Sequence, residues 1–120
     1  MKKLTRILAL VLVLVMSICV FTGCAKMQVE DVAKDFLNYV SEGNIDMVVV
    51  NCVNDYYVRQ NAVDCAILNA GMEYKITDIK VDGDKAVVKV KITLPYGGES
   101  YEGTLQLVKD NKWEIFDIDI

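Results

Sequence analysis

The sequence contains no histidine among its 120 residues, and this absence removes several classes of function. Histidine is the usual general base near neutral pH and a frequent ligand of transition metals. Without it, a serine or cysteine catalytic triad of the usual kind cannot form. A phosphate-binding loop is also missing, because Gly97-Gly98 has neither the lysine nor the following helix that such a loop needs. We therefore expect no catalytic constellation, no cofactor and no metal site.

The first 24 residues have the pattern of a bacterial export signal. Lys2, Lys3 and Arg6 give a positively charged start, and an apolar stretch follows from Ile7 to Phe21. That stretch has 15 residues, whereas a helix needs roughly 20 to cross the hydrocarbon core of a bilayer. A basic start and a short apolar segment are typical of a cleaved secretory signal. The alternative, an uncleaved anchor helix, is disfavoured by the same short stretch.

The signal closes on Phe21-Thr22-Gly23-Cys24, which resembles the lipobox of bacterial lipoproteins. The match departs from that family at Phe21, where leucine is usual. The resemblance implies that the chain is cut before Cys24 and that the sulfur of Cys24 carries a diacylglyceryl group. Two acyl chains anchor a protein stably, because each buried CH₂ group contributes about 0.8 kcal/mol. We therefore expect a lipid-anchored protein at the extracytoplasmic face of the cell membrane.

Removal of residues 1–23 leaves a mature chain of 97 residues, which is enough for one domain. This mature chain has 10 basic and 17 acidic residues, and so a net charge of −7. Such an acidic domain argues against nucleic acid as a partner, since nucleic-acid binding rewards basic patches. We expect residues 24–27 to form a short lipidated tether and residues 28–120 to form a single domain.

Apolar residues at helical spacing predict a first helix that begins near Gln28 and ends at Gly43. Glu30 and Asp31 fall in its first turn, where the helix dipole favours negative charge. Glycine suits the position after a helix because it readily adopts a left-handed conformation. The predicted inward stripe consists of Val29, Val32, Ala33, Phe36, Leu37 and Val40.

Two further helices are predicted between this helix and residue 72. Asn44 can cap the second, although the run Val48-Val49-Val50 also suits a strand because β-branched side chains favour strands. Asn54 or Asp55 can cap the third, which is predicted to end at Gly71. The second element is thus ambiguous on the sequence alone.

From residue 73 onward the apolar residues alternate with polar ones, as in strands with one buried face. Short turn signals separate these segments, because proline fixes φ and glycine allows positive φ. Connections of this length make neighbouring strands antiparallel. The predicted strands are residues 73–81, 88–94, 101–107 and 112–119, with turns at Asp82-Gly83, Pro95-Tyr96-Gly97-Gly98 and Asp110-Asn111.

Helices followed by an antiparallel meander predict an α+β domain, with N-terminal helices packed on a curved four-stranded sheet. The segments 32–40 and 42–46, the strand 75–81 with its turn, and the terminal segment 112–115 resemble small lipoproteins of the nuclear-transport-factor-like, cystatin-like superfamily. The resemblance covers about residues 28–120 and implies a cone-shaped domain. Its motifs are mostly apolar periodicity, so it implies a fold and a location but little chemistry.

Cys52 and Cys65 are the thiols that remain beside Cys24 in the mature chain. An even pair in an exported chain suggests a disulfide, and closing this loop of about 14 residues would contribute roughly 3 kcal/mol in the chain-entropy model. The alternative is that both are small buried side chains on adjacent helices. Two thiolates alone would leave a zinc ion half-ligated.

The pattern Asp82-Gly83-Asp84 lacks the later glutamate of a calcium loop and is better explained as a hairpin turn.

Aromatic residues suggest a binding surface. The polar-aromatic loop from Pro95 to Tyr101 has no obvious core role, and we take its Tyr96 and Tyr101, together with Trp113 from the last predicted strand, as candidate binding residues. The alternative is that aromatic side chains fill the cone and its rim while each hydroxyl reaches water.

The leading hypothesis is therefore a non-enzymatic binding or accessory domain whose partner is a protein, a peptide or a small ligand. The alternative is a small-molecule enzyme or carrier with a pocket inside the cone. The resemblance implies that such an enzyme would pair an aspartate with a tyrosine hydroxyl, as ketosteroid isomerase does, and Tyr39 or Tyr57 could supply the hydroxyl. A purely structural accessory, with no pocket and a large exposed apolar patch, is the third possibility.

Overall fold

The structure is a computed structural model that describes residues 23–120. The expected signal peptide, apart from its last residue, lies outside these described residues. Within them, two helices precede one four-stranded sheet. Helix α1 covers residues 23–42, helix α2 is Tyr56–Leu68, and the strands are β1 (Glu73–Asp82), β2 (Lys85–Thr93), β3 (Ser100–Lys109) and β4 (Trp113–Asp119).

Helix α1 ends where the sequence predicts and buries the expected face. Gly43 follows it with φ at 68°, and the Asn44 N–H donates to the Tyr39 carbonyl at 2.9 Å, which satisfies an acceptor in the last turn. The side chains on its inner face have no solvent exposure and belong to the core cluster that the strands also build. They are Val29, Ala33, Phe36, Leu37 and Val40.

The start of α1 differs from the expectation. A short tether was expected before Gln28, but Cys24 to Met27 are helical and continuous with the rest of α1. Helix propensity explains the difference, because Ala25, Lys26 and Met27 are all strong helix formers and no glycine or proline separates Cys24 from Gln28. Cys24 itself is exposed.

The prediction of a second helix after Asn44 is wrong. Residues 45–51 form successive turns. The Val48 N–H donates to the Asn44 carbonyl four residues earlier at 3.0 Å, as in an α-helix. The next hydrogen bonds, from Val50 N–H to the Met47 carbonyl and from Cys52 N–H to the Val49 carbonyl, span only three residues. Asn44 does act as a cap, since its side-chain oxygen accepts from the Met47 N–H at 3.2 Å. The cap thus starts a helical turn that the chain does not continue.

Pairing with the sheet explains why this segment leaves the helical path. Cys52 forms a parallel bridge with Ile115 of β4. The Ile115 N–H donates to the Asn51 carbonyl at 2.8 Å, and the Val53 N–H donates to the Ile115 carbonyl at 2.9 Å. The segment therefore covers the outer edge of β4, where unpaired backbone groups would otherwise remain.

Helix α2 matches the third predicted helix. The Asp55 carboxylate accepts from the N–H groups of Tyr57 and Val58 at 3.0 and 3.1 Å, which is the expected N-cap. The helix stops at Leu68, and Gly71, with φ at 86°, turns the chain toward β1. Its buried residues are only Ala62, Cys65 and Ala66.

The sheet is an antiparallel meander in the order β1-β2-β3-β4, as the short connections predict. Strand β2 shows the predicted alternation, with Val88, Val90 and Ile92 fully buried and its lysines exposed. Thr77 in β1 and Phe116 in β4 each sit at a shift of register. Such bulges bend a strand and increase its twist, and they give the sheet its curvature.

Side chains fill the helix-covered side of the sheet. Phe36 and Leu37 of α1 meet Ile92, Leu105 and Leu107 of the strands in one core cluster, all without solvent exposure. The fold is thus the expected α+β arrangement of helices on a curved four-stranded antiparallel sheet. No helix within residues 23–120 is long and apolar enough to cross a membrane.

Candidate functional site

Helix α1 connects two opposite ends of the domain. A helix rises 1.5 Å per residue, so Glu42 lies about 27 Å along the axis from Cys24. We name the end that contains Cys24 the anchor end and define it as residues 23–31, 82–85 and 109–113. We name the opposite end the distal end and define it as residues 41–44, 67–73 and 94–101.

Backbone and side-chain contacts hold the distal end together. The Gly71 N–H donates to the Ser41 carbonyl at 2.7 Å, and the Ser41 hydroxyl donates to the Met72 carbonyl at 2.7 Å. The β2–β3 loop lies against the same corner, because a Cβ atom on Gly71 would stand 3.5 Å from Pro95 Cγ. Three segments far apart in sequence therefore form one surface at the end of α1.

This surface is apolar at its centre. Ile67 and Leu68, in the last turn of α2, are 62% and 70% exposed, and Tyr96 in the β2–β3 loop is 79% exposed. Single exposed apolar residues are ordinary, but several large ones on neighbouring segments are typical of interaction sites. The distal end thus has the composition of a docking surface.

The same end carries only negative charge. Its charged side chains are Glu42, Glu73 and Glu99, and its segments contain no lysine or arginine, although Lys75 lies two residues beyond Glu73 in β1. None of the three makes an ion pair in the described part of the chain, where the one salt bridge joins Lys34 and Glu30 at 2.9 Å.

The structure separates the three aromatic residues predicted to bind. Tyr96 is exposed at the distal end, and Tyr101 lies half-buried beneath the same surface with its hydroxyl 3.5 Å from Asn69 Oδ1. Burial raises the pKa of Tyr101 above its usual value. Trp113 is only 4% exposed and belongs to the core at the anchor end. Tyr96 and Tyr101 share a surface, and Trp113 is no part of it.

Trp113 instead lines a cleft of about 420 Å³ between α1 and the β3–β4 turn. Its indole N–H is buried and has no hydrogen-bond partner among the described residues, an arrangement that typically costs about 1–3 kcal/mol. The rim carries Asp31 beside Lys109 and Lys112, so neither sign of charge dominates.

Cys52 and Cys65 are free and buried in the structure, Cys65 in α2 and Cys52 in the segment that pairs with β4, so only one of the two lies on a helix. Burial is the main cause that raises the pKa of Cys52 to about 12 and that of Cys65 to about 11. Each thiol approaches a nearby oxygen, Cys52 Sγ to the Val48 carbonyl at 3.6 Å and Cys65 Sγ to Asn61 Oδ1 at 3.9 Å. Neither thiol has the depressed pKa of a nucleophile or metal ligand.

The carboxylates do not assemble into a site within residues 23–120. No group of three or more cysteine, aspartate or glutamate side chains there could hold a metal ion. Asp82-Gly83-Asp84 forms the β1–β2 turn, with Gly83 at φ 59°. Asn69 is the one buried polar residue of the described chain, and Tyr57, a candidate catalytic hydroxyl, is 81% exposed.

Comparison with solved structures identifies the fold. The structure superposes on a Campylobacter jejuni protein named provisionally as an NTF2-like transpeptidase, with a TM-score of 0.59, 19% identity, and coverage of 73% of this chain and 96% of that one. It also superposes on a ketosteroid isomerase-like protein from Erwinia carotovora, with a TM-score of 0.51, 16% identity, and coverage of 75% and 89%. The chain has the NTF2-like cone fold.

The NTF2-like fold carries no activity by itself at this level of identity. No protein-family model matches the sequence, and the search of curated proteins found no match. The function of this NTF2-like domain must therefore be argued from its own residues. Ile67, Leu68 and the glutamates of the distal end were missed by the sequence analysis, because no motif marks them and only the fold brings them together.

Proposed function

We propose that the protein is a lipid-anchored, extracytoplasmic binding domain that presents its distal end to a protein partner. The observation that carries the proposal is the arrangement along α1. Cys24 stands exposed at one end of the helix, and the exposed apolar surface around Tyr96 lies at the other end, which Glu42 reaches about 27 Å along the helix axis from Cys24. A lipid on Cys24 would direct that surface away from the membrane.

A binding role is favoured over catalysis by the filled core. The names of the two fold neighbours refer to a transpeptidase and an isomerase, so an enzyme within the cone is the competing function. A ketosteroid isomerase-like mechanism would need a carboxylate and a tyrosine hydroxyl that converge on an apolar cavity. Among the described residues no carboxylate is buried, and apolar side chains occupy the helix-covered side of the sheet.

The anchor is tested by intact mass analysis of the mature protein after expression of the full chain in a bacterial host. We expect a product that begins at Cys24 and carries a diacylglyceryl group. The Cys24→Ala variant is the matched control and should remain unlipidated and uncut. A parent protein that keeps residues 1–23, or has an unmodified Cys24 thiol, would refute the anchoring.

The orientation is tested by photo-crosslinking in cells. A photoreactive residue replaces either Tyr96 at the distal end or Lys112 at the anchor end, and both positions are exposed. We expect protein adducts from position 96 and none of the same size from position 112. Adducts confined to position 112, or identical at both positions, would contradict docking at the distal end.

A further inference from the structure

The cleft beside Trp113 combines a buried, unused hydrogen-bond donor with charges of both signs. It occupies about 420 Å³ between α1 and the β3–β4 turn, a size typical of small-molecule sites. The Trp113 side chain is only 4% exposed, and its indole N–H has no partner among residues 23–120. A buried donor without an acceptor costs free energy, which an acceptor on a ligand would recover. The cleft therefore offers a donor that no described residue uses.

Strand register places a cation next to this donor. Lys109 of β3 stands directly opposite Trp113 of β4, and residues that oppose each other in an antiparallel pair share one face of the sheet. Leu107 and Trp113 are buried on the helix-covered face, so Lys109 continues that inward-facing row at the end of β3. Lys112, in the turn that follows, lines the same cleft. Two ammonium groups and an N–H donor together favour an anionic acceptor such as a carboxylate.

Helix α1 supplies the opposite wall of the cleft. Gln28, Asp31 and Val32 are spaced three and four residues apart, so they lie on one face of the helix and line the cleft together. Within residues 23–120, Asp31 makes no ion pair with either lysine of the facing hairpin. Opposite charges that line one cleft without contact leave room for a ligand that carries both charges. Val32 and the indole ring add apolar surface to the lining.

We propose that this cleft binds an α-amino acid as its zwitterion. The carboxylate of the ligand accepts from the indole N–H of Trp113 and from the Lys109 ammonium, while the ammonium of the ligand pairs with Asp31. An apolar side chain of the ligand contacts Val32. Because the indole N–H is buried, the ligand must displace part of the rim, where Lys112 is exposed on a flexible stem. The site lies at the anchor end and does not depend on the function proposed for the distal end.

Trp113 reports on its own cleft because it is the only tryptophan of the chain. Its indole N–H gives a single NMR signal, which should move downfield when the proton is donated to a carboxylate. The full mature protein in an uncharged detergent is titrated at about pH 6, where α-amino groups are protonated. The probes are L-leucine, its methyl ester, which lacks the carboxylate, and N-acetyl-L-leucine, which lacks the ammonium. O-phosphoethanolamine is a further probe that carries both charges but no apolar side chain.

We expect L-leucine to move the indole signal. The methyl ester and N-acetyl-L-leucine should each bind at least about tenfold more weakly, because each leaves one charged group of the cleft without its partner. O-phosphoethanolamine should also bind more weakly than L-leucine, since it makes no apolar contact with the cleft.

Two variants connect each charge of the ligand to one residue. Asp31→Asn should weaken the binding of L-leucine without weakening that of N-acetyl-L-leucine. Lys109→Gln should weaken the binding of L-leucine and leave that of the methyl ester unchanged. The matched controls Asp35→Asn and Lys89→Gln change exposed residues outside the lining and should keep the affinity of the parent. Calorimetry measures the affinities, and circular dichroism verifies that each variant is folded.

Three results would overturn the proposal. An indole signal that stays in place at millimolar L-leucine would show that the cleft takes no amino acid. Equal binding of L-leucine and its methyl ester would remove the role of the carboxylate. Tighter binding of O-phosphoethanolamine than of L-leucine would assign the cleft to a phosphate-bearing headgroup instead. The crosslinking at position 96 is unaffected by any of these results, so the proposed function and this site stand or fall separately.

Discussion

Alkaline pH should destabilise this domain through its two buried thiols. The pKa of Cys52 rises from 9.0 to about 12 and that of Cys65 from 9.0 to about 11, chiefly because burial disfavours the thiolate. An unfolded chain would release both protons near pH 9, whereas the folded chain retains them. Stability is therefore fully present below pH 9 and falls as the pH rises toward the folded values.

The magnitude follows from the difference in bound protons. At pH 10, one unit above the unfolded value, each thiol should lower the free energy of unfolding by about 1.4 kcal/mol, or about 3 kcal/mol for the pair. Small domains are typically stable by about 5–15 kcal/mol, so the loss is large. The pKa values of Tyr74, Tyr101 and Lys34 are also raised, the tyrosines by burial and Lys34 by its hydrogen bond to Glu30, and they act in the same direction.

The thiol contribution is isolated by comparison with the double variant Cys52→Ala and Cys65→Ala. Urea unfolding is measured at pH 8 and pH 10 in the presence of a reductant, which keeps the thiols free. The variant should start less stable because of the cavities it creates, yet lose about 3 kcal/mol less than the parent between the two pH values. Equal losses in parent and variant would refute the reasoning. The same measurement is repeated without reductant. If the parent then loses no more unfolding free energy between pH 8 and pH 10 than the variant does, the two thiols form a disulfide under oxidising conditions.

Three further predictions test the fold. Gly103→Val should destabilise the domain by about 1–3 kcal/mol, or displace the C-terminus, because a Cβ at this position would lie 2.6 Å from Ile120 Cγ2. Thermal unfolding measures the destabilisation, and amide NMR signals report the displacement. Asp55→Ala should cost about 1 kcal/mol in urea unfolding through the loss of the α2 cap, whereas the exposed Asp64→Ala, in the body of the same helix, should cost less. Trp113→Phe should lower the free energy of unfolding by less than a typical tryptophan truncation does, because it also removes a buried N–H that has no acceptor. The denaturant midpoints of the parent and the variant measure this loss.

Regular periodicity made most of the secondary structure predictable. The alternation in β2 depends only on which neighbours are apolar, and the observed burial of Val88, Val90 and Ile92 follows it residue by residue. The α2 cap at Asp55 is equally local, since the carboxylate bonds to amides two and three residues later. Such features need no knowledge of the rest of the chain.

The failures occurred where distant contacts overrule local preference. Asn44 caps a turn as predicted, but pairing of Cys52 with Ile115, 63 residues later, draws the following segment to the sheet edge. Trp113 was predicted to belong to a binding surface because it is aromatic. Its burial depends on the packing of α1 against the β3–β4 hairpin, which the sequence does not reveal.

The helical state of residues 24–27 has a consequence for the proposed function. A flexible tether would let the domain tumble at the membrane, so that any face could meet a partner. Because Cys24 belongs to the same helix that ends at Glu42, a lipid on Cys24 would be joined to the distal end by one rigid element about 27 Å long. Binding at the distal end would then occur at a fixed height above the bilayer. Introducing Gly-Gly in place of Lys26-Met27 should weaken the photo-crosslinks that form in cells from position 96 to a membrane-bound partner. Equal crosslinks from both proteins would show that the rigid connection is not required.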